Sequence, residues 1–357
     1  MSEQSSATVH TPHPSNTSKE LGLIIAFGII AILLAAGVAA WKLGYFQANP
    51  RVAIVTWNDD PYWDLVIDGA QAAAKAKNID LIIVRSQADV KIQTQHVRDL
   101  LDKGVQGIAI SPNGPADQLA ILNEAANKAV LVTFDSDAAI PQRKAFVGSD
   151  NYQAGQLAAE QIREAIPDGG DVIISVGSID MVNGRQRRQG IIDNLLDRRP
   201  NEERPADPLD APLKGTSYSI VATVLDNGDR KKATAGVADA IKAHPDVKCI
   251  VALFSYSPAA VVDAIQQTNN AGKIKVVGFD ESDATQAGIA NGTIYSSILQ
   301  DQYRCGYAAI DFIADTLRGA EENAPIGVHF IPLRVRVLKS DNLTFLRADK
   351  MIHTPKM

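Results

Sequence analysis

Residues 51–84 read RVAIVTWNDDPYWDLVIDGAQAAAKAKNIDLIIV, and their reading decides the fold. Residues 51–56 are a β-branched apolar run, short enough for a buried strand. Residues 62–77 place Leu65, Val66, Ala70, Ala73 and Ala74 on one helical face. Residues 81–84 are apolar again. Strand, helix and strand at this spacing predict a right-handed βαβ unit in a parallel sheet.

The alternation spreads outward from there. Helices are predicted at 92–103 and 117–128, and strands at 107–110 and 130–134. The pattern restarts after Gly148. Helices at 151–165, 184–197, 229–244, 258–268 and 302–317 alternate with strands at 171–176, 219–225, 249–254 and 275–279. The chain is therefore expected to be α/β, with two doubly wound parallel sheets. The 308 residues from Pro50 onward divide into halves of about 150, an ordinary domain size. Residues 199–215 break the rhythm with four prolines among charges and read as a surface loop. Residues 341–357 are polar and peripheral.

Composition narrows the function. Hydrophobic residues are 46% of the 357 and charged residues 21%, which is globular. A formal charge of −6 with no basic stripe argues against gripping nucleic acid. Two cysteines exclude a disulfide-dense scaffold or a cysteine zinc cluster.

Residues 1–20 are rich in Ser, Thr and Pro and are expected to be disordered. Residues 21–41 carry no charge, and 21 helical residues can cross a hydrocarbon core of roughly 30 Å. Trp41, Lys42 and Tyr45 suit an interface. Two readings stand: a retained membrane anchor over 21–43, or a signal sequence cut after the small residues Val38-Ala39-Ala40. Both place residues 51–357 outside the cytoplasm, periplasmic or on the cell-surface side of the membrane.

No Walker loop, Gly-x-Ser-x-Gly elbow, His-Glu-x-x-His or Cys-x-x-Cys occurs, and the six histidines have no metal-ligand spacing. Residues 226–229 (DNGD) read as a turn into a helix rather than a calcium loop. Nothing nominates a nucleophile or an acid–base pair, so no enzyme, metal or cofactor is expected.

The chemistry that is present follows the strands. In open α/β sheets ligands bind beyond the carboxyl ends of the strands. There the sequence places residues 57–63 (WNDDPYW), then Asp135 and Ser136, the arginines of 183–190, Asp280 and Gln300. Carboxylates, a guanidinium fork, an amide and flat rings suit a small polyhydroxylated ligand. Taken singly, each has a bland alternative: an N-cap, a core Trp, a solvated face. Their recurrence at one edge of both sheets carries the reading.

Five segments, in order, resemble the periplasmic sugar-binding proteins of ribose-binding type, the substrate-capturing subunits of ABC importers. They are 56–71 (TWNDDPYWDLVIDGAQ), 132–137 (VTFDSD), 147–155 (VGSDNYQAG), 184–190 (GRQRRQG) and 276–280 (VVGFD). The resemblance implies two Rossmann-like lobes joined by three hinge crossovers, near 149–150, 299–300 and 329–330, preceded here by the hydrophobic helix. The first lobe would comprise 51–149 and 301–329, the second 150–300 and 330–345, with 346–357 as a tail. Asp60, Tyr62 and Trp63 match the first ligand loop, whose two aromatics sandwich the sugar. Asp135, Arg187, Asp280 and Gln300 match further ligand positions. The partners implied are a monosaccharide and an importer permease; a monomer is expected.

The pattern departs from the family at four places. Asp60 replaces a common Asn, Ser136 an Arg, Phe254 and Ser255 an Asn-Asp pair, and Gln302 a Pro. Losing one cation and gaining a carboxylate predicts a hydroxyl pattern other than ribose, and admits an amino sugar or another cationic polyol. A sugar-sensing ectodomain acting in trans on a receptor or kinase is the alternative. A repressor-type effector domain fits less well, because the chain begins with a hydrophobic span instead of a helix-turn-helix. With Cys249 in one lobe and Cys305 in the other, two buried free thiols are expected.

Overall fold

The computed structural model describes residues 17–42, 48–202, 204–319 and 329–344. It falls into two compact units, Met1–Asn49 and Pro50–Met357. In the first, α1 (Thr17–Lys42) runs 26 residues, about 39 Å. It begins inside the segment expected to be disordered, because Lys19 and Glu20 are good helix formers that extend the apolar run at little cost. Its side chains from 25 to 38 are exposed. Among the described residues no helix is long and apolar enough to cross a membrane. The expected disorder of residues 1–16 and the expected tail lie outside the described residues.

The second unit opens with β1 (Arg51–Thr56), α2 (Tyr62–Ala76), β2 (Asp80–Arg85), α3 (Val90–Asp102), β3 (Gly107–Ile110), α4 (Leu119–Lys128), β4 (Val130–Phe134) and β5 (Ala145–Ser149). Then come α5 (Asn151–Ala165), β6 (Gly170–Val176), α6 (Val182–Leu195), β7 (Leu213–Lys214), β8 (Tyr218–Leu225), α7 (Arg230–Ala243) and β9 (Cys249–Ala252). The last elements are α8 (Ser257–Gln267), β10 (Lys275–Phe279), α9 (Asp283–Asn291), β11 (Ser296–Leu299), α10 (Gln302–Leu317), β12 (His329–Leu333) and β13 (Arg336–Leu338).

Two sheets result, in the orders β12-β5-β4-β3-β1-β2 and β13-β11-β10-β9-β6-β8-β7. Every pairing is parallel except β11 with β13 and β7 with β8. The period-2 alternation of strand side chains sorts the core. In the first sheet Ala53, Val55, Ile108 and Ile110 pack with Val97 of α3 and Leu122 of α4. Val52, Ile54, Ala109 and Val132 belong to the opposite face, with Val66 of α2 and Ile310 of α10. The second sheet repeats this. Ile173, Ile250 and Val276 meet α7 and α8, whereas Val172, Ile174 and Val251 face the side of α5 and α6.

Two helix pairs approach more closely than side chains allow. A Cβ at Gly69 would land on the Tyr303 carbonyl, and one at Gly306 on that of Val66, between α2 and α10. Gly155 and Gly190 do the same between α5 and α6, against the carbonyls of Arg187 and Tyr152.

The chain changes sheet three times. It leaves the first after Ser149 and returns after Gln300; at each change an aspartate, Asp150 or Asp301, caps the next helix. The third change falls at Arg334 and Val335, beyond the expected 329–330, because β12 stays paired with β5 through Leu333. All three passages lie side by side. Ser149 is in register with Leu333, and Leu299 with Arg336. The Ser149 hydroxyl donates to Gln300 Oε1 at 3.2 Å.

The proline-rich 199–215 segment is more than a loop. It supplies β7 at the sheet edge, and its Asp207 and Pro208 carbonyls accept from Arg188. Cys249 and Cys305 are free and buried.

Candidate functional site

The loop after β1 is folded around one amide. Asn58 Oδ1 accepts from Trp63 Nε1 at 2.6 Å and from the Asp60 amide at 3.1 Å. Asp60 Oδ1 in turn accepts from the Tyr62 amide at 2.9 Å, starting α2. The same oxygen accepts from Ser255 Oγ, also at 2.9 Å, and Ser255 belongs to the second sheet's side of the molecule.

Asp135 follows β4 with φ of 60°. Its Oδ1 accepts from the Tyr62 hydroxyl at 2.9 Å. Its Oδ2 accepts from Ser111 Oγ at 3.3 Å and from Asn183 Nδ2, of α6, at 3.2 Å. Burial raises the Asp135 carboxyl above the usual range, against the opposing pull of Arg187 and the hydroxyls of Tyr62 and Ser111. Burial also pushes the Tyr62 phenol well up, with the negative charges of Asp135 and Asp280 adding to it.

Arg187 is buried on α6. Nε donates to Asn151 Oδ1 at 2.9 Å, Nη1 to the Leu253 carbonyl at 2.9 Å, and Nη2 to Gln300 Oε1 at 2.7 Å. Its guanidinium lies 4.7 Å from the centre of the Phe279 ring and 5.8 Å from that of Phe254. Gln300 completes the chain, donating from Nε2 to Asp280 Oδ1 at 3.0 Å. Asp280 follows β10 with φ of 62°, and its carboxyl is pushed up to about 8 by burial, against the pull of Arg187.

These groups line one tight, open-mouthed cavity of about 20 Å³. It is lined by Trp57, Asn58, Asp60, Tyr62, Trp63, Asp135, Asn183, Arg187, Phe254, Ser255, Tyr256, Asp280 and Gln300. A larger cavity of about 380 Å³ shares Asp60, Tyr62, Ser255, Tyr256 and Asp280 with it and continues outward past Arg230, Glu281 and Asp283. Eight of the nine expected site residues therefore meet. Ser136 does not: it is fully buried away from the cavity, its Oγ has no partner among the described residues, and its amide folds back onto the Phe134 carbonyl at 2.6 Å. The left-handed turn at Asp135 redirects the chain there.

The aromatic arrangement also differs from expectation. The rings of Tyr62 and Trp63 meet edge to face at 4.8 Å and 87°. A ring held between two others needs about twice the 3.5–4.0 Å carbon contact, roughly 7 Å, so this pair cannot sandwich a sugar between themselves. The facing aromatic surface is Phe254, 5.6 Å from Trp57 and 6.3 Å from Tyr256.

Sequence reasoning missed Asn183, Ser111 and Tyr256, and named Asn58 only as part of the 57–63 stretch. Tyr256 is anchored by donating its hydroxyl to the buried Asp226, whose carboxyl burial lifts to about 6. Asp229 of the same DNGD stretch caps α7, as the turn reading expects. Among the described residues no group of three His, Cys, Asp or Glu could hold a metal.

The site has the make-up for reversible capture of a small polar molecule: three carboxylates, one guanidinium, amides and five aromatic rings, drawn from both sheets. Known proteins share this architecture. The ribose import binding protein of Bacillus subtilis (strain 168) is 25% identical over 283 residues, 79% of this chain and 85% of that protein. An ABC transporter solute binding protein from Burkholderia graminis, solved with D-arabinose, superposes with a TM-score of 0.74 at 26% identity, covering 84% of this chain and 98% of that one. The glucose-galactose binding protein of Geobacillus stearothermophilus does so at 0.73 and 26%, covering 83% and 99%. The periplasmic binding protein domain model matches residues 52–321, and the chain belongs to that family.

Proposed function

We propose that the protein captures a monosaccharide outside the cytoplasm by closing two lobes around it, and passes it to the permease of an ABC importer. The observation that carries this reading is the convergence of Asp60, Tyr62, Trp63, Asp135, Arg187, Phe254, Asp280 and Gln300, from both sheets, on one cavity. Carboxylates accept from sugar hydroxyls, the buried Arg187 fork serves vicinal oxygens, and rings cover the C–H face. The two lobes are 51–149 with 301–333, and 150–300 with 336–344. Contacts from both sides favour the closed form when ligand is bound. The sugar-binding relatives described above support the ligand class.

A thermal-shift screen of the protein, freed of co-purified ligand, against pentoses, hexoses, amino sugars and inositols tests this. A ligand at about 100 times its dissociation constant adds roughly 2.7 kcal/mol to the folded state. A shift confined to one or two sugars supports the reading. A flat screen of folded protein overturns it.

The apolar run of α1 would hold the protein at the membrane or direct its export. Its exposed side chains from 25 to 38, joined to apolar neighbours on both sides, support this. The mass of the mature protein and its partition between membrane and soluble fractions separate a retained anchor from a cleaved signal.

A further inference from the structure

We infer that the ligand of the inter-sheet cavity carries a protonated amine. This rests on the sugar-capture reading and narrows it to an amino sugar or aminopolyol. The first observation is charge. Asp60, Asp135 and Asp280 line the cavity against one cation, Arg187. That guanidinium forms no ion pair among the described residues: Nε, Nη1 and Nη2 each donate to a neutral acceptor. The outer cavity does not redress the balance. It adds Asp283, and its Arg230 is already paired with Asp263 at 3.0 Å.

The second observation is unspent acceptor capacity. Asp280 is 3% exposed, and only Oδ1 of its carboxylate accepts a bond, from Gln300. Asp60 likewise uses Oδ1 alone, for the Tyr62 amide and Ser255. The second oxygen of each has no partner among the described residues. A buried carboxyl without a counter-charge keeps its proton, as Asp280 does, and an ammonium can take that proton's place.

The third observation is the wall itself. Trp57, Tyr62, Trp63, Phe254 and Tyr256 present rings around the carboxylates. Ring faces attract cations, and aromatic cages bind ammonium groups in this way. With Asp280 holding its proton, Asp60 and Asp135 still outnumber Arg187 in the cavity wall, and a neutral polyol satisfies the acceptors but leaves that imbalance. One ammonium satisfies both, and gains from the rings as well.

The test is calorimetric titration of the full chain with matched probes: D-glucose, D-glucosamine and N-acetyl-D-glucosamine, then D-galactose and D-galactosamine, and choline. The expected result is at least tenfold tighter binding of an amine than of its hydroxyl and N-acetyl counterparts. Asp60→Asn and Asp280→Asn should each shrink that ratio, whereas Lys242→Ala, on the exposed face of α7 outside the lining of either cavity, should keep it. Neutral sugars binding as tightly as amines, or more so, overturns the inference and leaves sugar capture standing. Choline binding with no sugar bound sustains the amine and overturns the sugar. Binding of no probe overturns both.

Discussion

Asp135 and Asp280 are counterparts. Each follows a Phe that ends a strand, each has a left-handed backbone with φ of 60° or 62°, and each donates its amide to the next strand, at Val147 or Ile298. The two sheets thus aim one carboxylate each into the shared cavity by the same turn. Asp and Asn tolerate this conformation, but a residue with an ordinary Cβ loses about 1–2 kcal/mol there. Asp135→Ala should therefore cost more stability than Asp135→Asn or Asp135→Gly in urea denaturation. Equal costs for all three would remove backbone strain from the account.

The raised Asp280 carboxyl gives stability a pH slope. With a folded value of about 8 against an ordinary 3.8, the native state holds a proton that the unfolded chain releases between those values. The stabilising contribution is full at acid pH and is lost as pH rises toward 8. Asp226, lifted to about 6, adds a slope of the same sign below pH 6. Between pH 6.5 and 8 the melting temperature should fall less steeply in Asp280→Asn than in the wild type. An unchanged slope would place Asp280 ionised throughout.

Gly228, from the turn after β8, lies against Trp57 of the first loop. A Cβ there would stand 3.1 Å from Trp57 Cζ2, and its φ of 80° already disfavours a side chain. Gly228→Ala should weaken ligand binding about tenfold by propping this contact apart, a cost of about 1.4 kcal/mol. Small-angle scattering should show a larger radius for the variant at saturating ligand; identical curves would count against Gly228 as a closure contact.

The close pair Gly69 and Gly306 should be intolerant of any added carbon. Gly69→Ala drives a methyl into the Tyr303 carbonyl, and backbone on both sides leaves nothing flexible to yield. A loss of about 3 kcal/mol is expected, at the upper end for overpacking. A melting temperature within a degree of wild type would show that α2 and α10 can slide apart.

Much of this molecule is legible in the chain. Residues 51–56, 107–110, 130–134, 151–165, 275–279 and 302–317 have the expected bounds, since strongly apolar runs and amphipathic faces dominate there. α9 escapes a sequence reading, because Asp283–Asn291 is short and mixes small and polar residues. The edge strands β7 and β13 are only two and three residues long and β12 contains Pro332, so none reads as a strand from sequence, and the third passage lies beyond its expected place because β12 stays paired through Leu333. Charged and aromatic site residues at strand ends are legible as chemistry. Asn183 and Tyr256 are not, since a lone amide or phenol has no periodicity and acquires meaning only once the chain brings its partner close. Ser136 misleads because a single left-handed residue before it decides which way a side chain points.

The three passages between the sheets have a consequence for how substrate is admitted. Ser149 beside Leu333, Leu299 beside Arg336, and Ser149 bonded to Gln300 form a narrow ribbon. Such a ribbon bends most readily across its thin direction. Under the closure proposed above, the mouth opens along one arc, like the boards of a book turning on the spine. A captured molecule then has few open arrangements to select against, and its binding energy can go to recognition.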